Sequence, residues 1–357
     1  MDRRRRLRRI LSAASAIALI AGSLALSIAA SAQTPTRTQA QALQAIRIGV
    51  LRLPSSGPVF IAADRGYFQQ EGLSPELIWF DAATPVPIAV VSRDLDVGVT
   101  GLTAAAFNLA ARGGLRIIAS QTREEPGFYL SAFVATRRAY AEGFTSLRAV
   151  GGRRIGVTTF GSTMHYNFAV IARKYGVPLS EITFVPLQTL QNLQAALATG
   201  QLDGALFPAA QSRRLASTGA VRILAWAGDE APWQVGAVFT RPQTIQTRRD
   251  MLERFVRAYR KGTRVYHDAF NQRDANGRAI RGADYDALMK IIASYSRQTP
   301  AQMQDVMPFI DADARIDVAS FYDQVRVWQQ TGMVLRSASA GPMLDLSFIP
   351  GHLNVPR

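Results

Sequence analysis

Ile48-Gly49-Val50 followed by Leu95-Asp96 returns later in the chain as Ile155-Gly156-Val157 followed by Leu202-Asp203, both at an offset of 107 residues. The same register lays Ser55-Ser56 on Ser162-Thr163 and Leu77-Ile78-Trp79-Phe80 on Phe184-Val185-Pro186-Leu187. Slipped by one residue, Leu115-Arg116-Ile117-Ile118-Ala119 falls on Val221-Arg222-Ile223-Leu224-Ala225. Self-similarity at one fixed offset is the mark of a duplicated unit. Two similar lobes would set equivalent loops facing each other across a cleft, where a ligand would sit.

Around these anchors the pattern alternates. The apolar runs 46–51, 77–80, 97–99 and 115–119 read as short buried strands, with Pro75 punctuating before the second of them. Apolar residues at helical spacing fill the intervals, as in Val59, Phe60, Ala63, Tyr67 and Phe68. The second copy keeps the order: strands 154–157 and 182–185, a helix over 162–175 between them, and a helix over 192–199 leading to Leu206. Strands alternating with helices predict an α/β fold with parallel sheets flanked by helices. From Arg248 onward only helical spacing recurs, with Ser347-Phe348-Ile349 as a closing segment on the first lobe.

The N-terminus reads as an address. Six arginines between Arg3 and Arg9 precede an uncharged Ala/Leu/Ile-rich stretch over 10–30 that ends in Ala30-Ser31-Ala32. This is the pattern of a secretory signal peptide over 1–32, cleaved before Gln33. A polar lead-in over 33–45 follows. Setting the leader aside lowers the formal net charge from +15 to +10. The remaining arginines are scattered, without the basic face or aromatic interleaving of a nucleic-acid surface. Cysteine is absent, so disulfides, thiolate metal sites and a lipidation cysteine are excluded.

Catalytic signatures are missing. His165, His267 and His352 form no zinc-binding pair and read as packing or surface residues. There is no Gly-x-Ser-x-Gly elbow, phosphate-binding Gly-rich loop or dinucleotide fingerprint. Glu124-Glu125 and Asp311/Asp313 read as carboxylates in solvated turns. The expectation is a protein without cofactor or metal.

Ligands of open α/β sheets bind outside the carboxyl ends of the strands. There the chain places Pro54-Ser55-Ser56 in the first copy and Phe160-Gly161-Ser162-Thr163 in the second, both turns opening helices. Helix starts offer unpaired N–H groups and a partial positive charge suited to an anionic or strongly polar ligand group; the same serines would also serve as ordinary caps. The register sets Asp81 against Gln188 and Thr100-Gly101 against Phe207 at equivalent strand ends, so all are expected at the cleft. Arg52 is the cation nearest these loops. Two cases stay open: Arg52 neutralises Asp81 and helix starts hold an anion, or Asp81 accepts from a ligand amine or heterocyclic N–H while Phe160 or Phe207 stacks on its ring.

A family resemblance rests on three segments. Ile48-Gly49-Val50, then Phe60-Ile61-Ala62-Ala63-Asp64-Arg65-Gly66-Tyr67-Phe68 with Glu71-Gly72-Leu73, then Leu95-Asp96-Val97-Gly98-Val99-Thr100-Gly101 resemble the solute-binding proteins of ABC importers for aliphatic sulfonates, taurine, nitrate and thiamine-pyrimidine precursors. The second-copy run Ala195-Ala196-Leu197-Ala198-Thr199-Gly200-Gln201-Leu202-Asp203-Gly204-Ala205 is similar to them as well. The resemblance implies two Rossmann-like lobes joined by a hinge, of the periplasmic-binding-protein type II kind. Residues 46–135 and 226–357 would form lobe I with the C-terminal helices, and 136–225 lobe II. It further implies a monomeric periplasmic protein whose partners are a small-molecule ligand and an ABC permease, with no nucleic acid. Same-fold enzymes of pyrimidine or chorismate-type chemistry, and a ligand-sensing domain of a receptor, are the alternatives. One departure is Arg93, where the family pattern has glycine and the second copy has Gly200.

Overall fold

The computed structural model describes residues 42–354. The signal-peptide reading of 1–32 and most of the lead-in lie outside the described residues. Among those described, no helix is long and apolar enough to cross a membrane.

Within the described residues, ten strands form two five-stranded sheets, each with its own hydrophobic core. The first contains β1 (Gln44–Leu51), β2 (Leu73–Phe80), β3 (Val97–Gly101), β4 (Arg116–Glu124) and β10 (Trp233–Thr240), in the order β2-β1-β3-β10-β4. The second contains β5 (Ser131–Thr136), β6 (Arg154–Val157), β7 (Thr183–Pro186), β8 (Gly204–Pro208) and β9 (Val221–Trp226), in the order β7-β6-β8-β5-β9. The two orders are equivalent if β10 and β5 exchange places.

That exchange corrects the expectation of purely parallel sheets. β10 runs antiparallel between β3 and β4, and β5 antiparallel between β8 and β9. Each is the strand that follows a crossing between sheets, so it enters its new sheet from the cleft side and runs against its neighbours. The lobe boundary moves accordingly: Ser131 to Ala135, expected in lobe I, pair within the second sheet. Pro75 also lies inside β2, paired with Ile46, instead of preceding the strand. An edge strand tolerates a residue without an N–H, and β2 is an edge.

The repeated motifs explain themselves in contacts. The Leu95 methyl lies where a side chain on Gly49 would start, 2.4 Å from an added Cβ, and Leu202 stands 2.5 Å from the equivalent point on Gly156. The following aspartates tie down the same pair of strands in each copy. Asp96 accepts the Arg47 backbone N–H at 2.9 Å and Asp203 that of Arg154 at 2.7 Å. Each then adds an ion pair, Asp96 with Arg248 and Asp203 with Arg138, both at 2.6 Å.

The turn before the Leu-Asp strand keeps its geometry despite the departure at Arg93. Arg93 has φ of +73° and Gly200 has +70°. Arg93 therefore occupies the left-handed region at a cost of roughly 1 kcal/mol, and its carbonyl accepts from the Arg47 guanidinium at 2.7 Å. The C-terminal region packs helices Pro242–Phe270, Tyr285–Ser296 and Val318–Gln330 around the first core. The long helix breaks its geometry at Arg248, the partner of Asp96, where the periodicity of the sequence changes. Gly262 lets it approach closely, an added Cβ there meeting the Pro58 carbonyl oxygen at 2.3 Å.

The two copies provide a matched test of backbone strain. A side chain at Gly200 would meet nothing within 4 Å, so Gly200→Ala is expected to destabilise by about 1 kcal/mol through φ alone. Arg93→Gly should move stability the opposite way, by a smaller amount because glycine also frees the unfolded chain. Urea unfolding of both variants measures this; a stabilising Gly200→Ala would show that the turn is not strained.

Candidate functional site

The carboxyl ends of strands from both sheets enclose a cleft of about 930 Å³, open solvent at its mouth included. Seven of the twelve residues expected there line it: Pro54, Ser55, Thr100, Gly101, Ser162, Thr163 and Phe207. The first two stand on the turn after β1, where Pro54–Ser56 forms a single 3-10 turn running into helix Gly57–Asp64. Ser162 and Thr163 open helix Thr163–Tyr175, whose N-terminus points at the cleft. The Ser162 hydroxyl accepts the His165 N–H at 3.4 Å, which makes it a cap. The serines of the first copy make no such bond.

Five expected residues do not line this inner cleft. Ser56 is buried, and its hydroxyl has no partner among the described residues. Phe160 is 54 % exposed and meets the His165 ring edge-on instead of lining the cleft. Gly161 is occupied instead by a contact with Ala104 of the other lobe. Asp81 lines a second, outer cavity at the mouth. Gln188 is turned out to solvent: its φ is +69° and its N–H is spent on the Thr158 carbonyl at 2.8 Å. The two strands keep the same register at this end, Val50 against Trp79 and Val157 against Pro186, but β7 stops one residue earlier in that register and Gln188 turns outward with positive φ.

Other lining residues were missed. Gln121 and Thr122 end the apolar run of β4, and the polar triplet Ser120-Gln121-Thr122 was the available signal. Tyr129 and Ser131 come from the crossing between sheets, and Val306 and Pro308 from the C-terminal segment, which the repeat does not reach. Among the described residues the inner lining carries no charged side chain. Its polar groups are hydroxyls and the amides of Gln121 and Gln211, set among leucines, Met164, Val235 and Phe207.

The lobes touch directly beside the cleft. The Ala104 N–H donates to the Gly161 carbonyl at 2.8 Å, and the hydroxyls of Thr84 and Thr159 meet at 3.0 Å. Gly161 has φ of +74°, and an added Cβ would stand 2.7 Å from the Ala104 methyl. Its N–H donates to His165 Nδ1 at 3.0 Å. His165 is a packing residue, as expected, and burial holds its pKa down to about 4, so the ring is neutral and able to accept.

Glu124 corrects the reading of a solvated pair. It is 1 % exposed at the end of β4, where the chain leaves the first sheet. Burial pushes its pKa up to about 8, with hydrogen bonding from Ser131 pulling the other way. Asp311 is likewise buried, paired with Arg315.

Two outcomes follow from these contacts. Gly161→Ala combines positive φ with a cross-lobe collision, so it should hold the lobes apart, read as a larger radius of gyration in small-angle scattering; an unchanged radius would show that the contact yields. For Glu124 the native carboxyl keeps its proton up to about pH 8 while the unfolded one loses it near 4.5. Its contribution to stability is therefore full below 4.5 and lost as pH rises through 8, at on the order of 1 kcal/mol per pH unit. Denaturation of wild type against Glu124→Gln across this window should show the difference growing with pH.

Residues 53–272 match the NMT1/THI5-like family, in agreement with the resemblance read from the sequence. No curated protein matches the chain. In structure the chain is similar to the alkanesulfonate-binding protein SsuA from Xanthomonas axonopodis pv. citri bound to MOPS, at 15 % identity over 85 % of this chain and 98 % of that one, TM-score 0.69. It is also similar to the periplasmic nitrate-binding protein NrtA from Synechocystis PCC 6803, at 10 % identity over 84 % of each chain, TM-score 0.67. The desulfurization enzyme DSZB shares the fold at 12 % identity over 85 % of this chain and 97 % of that one, TM-score 0.56. At such identities the likeness is one of fold. Two sheets closing on a shared cleft, together with a family match across more than half of the sequence, make this chain a member of the NMT1/THI5-like family with the periplasmic-binding-protein type II fold.

Proposed function

We propose that the chain is the periplasmic solute-binding component of an ABC importer, a monomer that captures a small polar or heterocyclic organic ligand between its lobes and presents it to the permease. The observation that carries this reading is the inner cleft, built from strand ends of both sheets and lined by hydroxyls, amides and apolar side chains. Such a lining holds a ligand through placed hydrogen bonds and apolar contact. A general acid or base would have to come from elsewhere in the chain. The leader-like N-terminus and the likeness to SsuA and NrtA support the same role.

The largely apolar wall of the cleft favours a ligand with an organic body, such as a sulfonate or pyrimidine, over a bare inorganic anion. The N-terminus of helix Thr163–Tyr175 offers partial positive charge to a polar group there. An enzymatic role finds support in the shared fold of the desulfurization enzyme DSZB, a likeness of fold alone.

Thr163 separates binding from capping, because the cap of its helix is Ser162. Thr163→Val should weaken ligand binding roughly three- to tenfold while leaving the melting temperature close to wild type. Ser162→Ala, by contrast, should cost about 1 kcal/mol of stability as a lost cap. Thermal-shift screening over sulfonates, aromatic carboxylates and pyrimidines would supply the ligand. Hydrogen exchange with that ligand should slow in both lobes; protection confined to one lobe would defeat the clamshell reading.

A further inference from the structure

Outside the inner cleft, and continuous with it, lies a second cavity of opposite character. Leu51, Leu53, Leu190, Phe207, Ala210 and Gln211 line both chambers. The outer one adds the guanidinium groups of Arg52, Arg214 and Arg297, with Asp81 as its single carboxylate. Three cations against one anion leave the chamber with an excess of positive charge. Resting on the solute-binding reading, we infer that this chamber is an anion subsite, and that the ligand is an elongated amphipathic anion whose carboxylate or sulfonate lies between these arginines while its uncharged body fills the inner cleft.

The cations come from both sides of the cleft. Arg52 follows β1, and Arg297 follows helix Tyr285–Ser296, which packs on the first core; Arg214 stands on helix Ala209–Ser217 after β8 of the second sheet. A bound anion would therefore be held by both lobes at once, which is the arrangement by which a ligand stabilises closure.

Arg52 is held in place before any ligand arrives. Its guanidinium lies over the Trp79 ring at 3.7 Å from the centroid, and its Nη1 donates to the Tyr295 carbonyl at 3.0 Å. The Tyr295 ring stacks in turn on Phe60 at 5.0 Å. Arg214 donates to Gln194 Oε1 at 2.7 Å. Burial and the neighbouring charge of Arg297 lower the pKa of Arg52, and Asp81 only partly opposes them; an anion in the chamber would relieve that repulsion. On the same wall Gln298 Nε2 is out of solvent and without a hydrogen-bond partner among the described residues. It is a further donor for an anionic oxygen.

The inner cleft offers nothing comparable. With an uncharged lining among the described residues, it can meet an anion only with helix-start N–H groups and neutral donors. A guanidinium pairs with a carboxylate or sulfonate through charge-assisted, often bidentate bonds about twice as strong as neutral ones. The charged end of an amphipathic ligand is thus better satisfied outside, and its apolar body better satisfied inside.

Calorimetry with octanesulfonate, octanoate and the uncharged 1-octanol tests the assignment. Arg214 and Arg297 are exposed, so Arg214→Gln and Arg297→Gln should fold normally, which thermal melts verify. Each is expected to weaken the two anions about tenfold or more, the loss of one charged hydrogen bond, and to leave octanol binding unchanged. Asp81→Asn should strengthen both anions severalfold, and raising the salt concentration should weaken them in the wild type. If the arginine variants bind the anions as wild type does while Thr163→Val weakens them, the anion sits at the helix start and the inference is overturned. In that event the solute-binding reading stands. Failure of wild type to bind any of the three probes overturns the inference, and failure to bind any member of the wider thermal-shift screen overturns the solute-binding reading beneath it.

Discussion

The close packing of a leucine side chain against a strand glycine, repeated once in each lobe, is the contact on which the architecture turns. A Cβ at Gly49 or Gly156 would collide with Leu95 or Leu202, so β1 and β6 can be covered at that point only if they carry glycine. The next residue then closes the arrangement, Asp96 taking up the Arg47 backbone N–H of β1 and Asp203 that of Arg154 in β6. A charged acceptor on a backbone donor is worth about 1.5–3 kcal/mol, and it pins β3 to β1 and β8 to β6. With that pairing set, the carboxyl ends of the strands come together and the loops that follow them are brought to one edge.

The second constraint is the crossing of the chain between sheets. β4 passes into β5 and β9 into β10, so each sheet receives one antiparallel strand from the other side. The two crossings are packed tightly: Gly228 comes so near Glu125 that an added Cβ would stand 2.4 Å from its carbonyl oxygen. Glu124 is enclosed at the same junction. A buried carboxyl is held neutral by its surroundings, which allows Glu124 to be enclosed at this junction without a counter-charge.

Division of labour within the cleft follows from these placements. The ends of β1, β3, β6 and β8 supply small, hydroxyl-bearing and apolar residues, because their loops pass close to one another across the interface. Charged side chains are displaced to the mouth, where Arg52 finds an aromatic face to lie on and water remains within reach. Burying those guanidinium groups without partners would cost far more than their positions at the rim.

Much of this was legible in the chain itself. The offset of 107 residues, the glycine and the aspartate of each motif, and the strand-helix alternation determined two similar α/β lobes, since burial periodicity and repeated sequence report local requirements that each copy must meet for itself. They also placed Ser55, Thr100, Ser162 and Phe207 at the cleft, because a strand end and the loop after it stay together in any such sheet. The tertiary structure alone decided the rest. Whether β5 pairs with β8 or with β4, that Gln188 turns away from the cleft, and that Arg214 and Arg297 line a common chamber with Arg52 are consequences of packing between segments far apart in sequence. No local pattern encodes them, for each depends on where a distant strand or helix comes to rest.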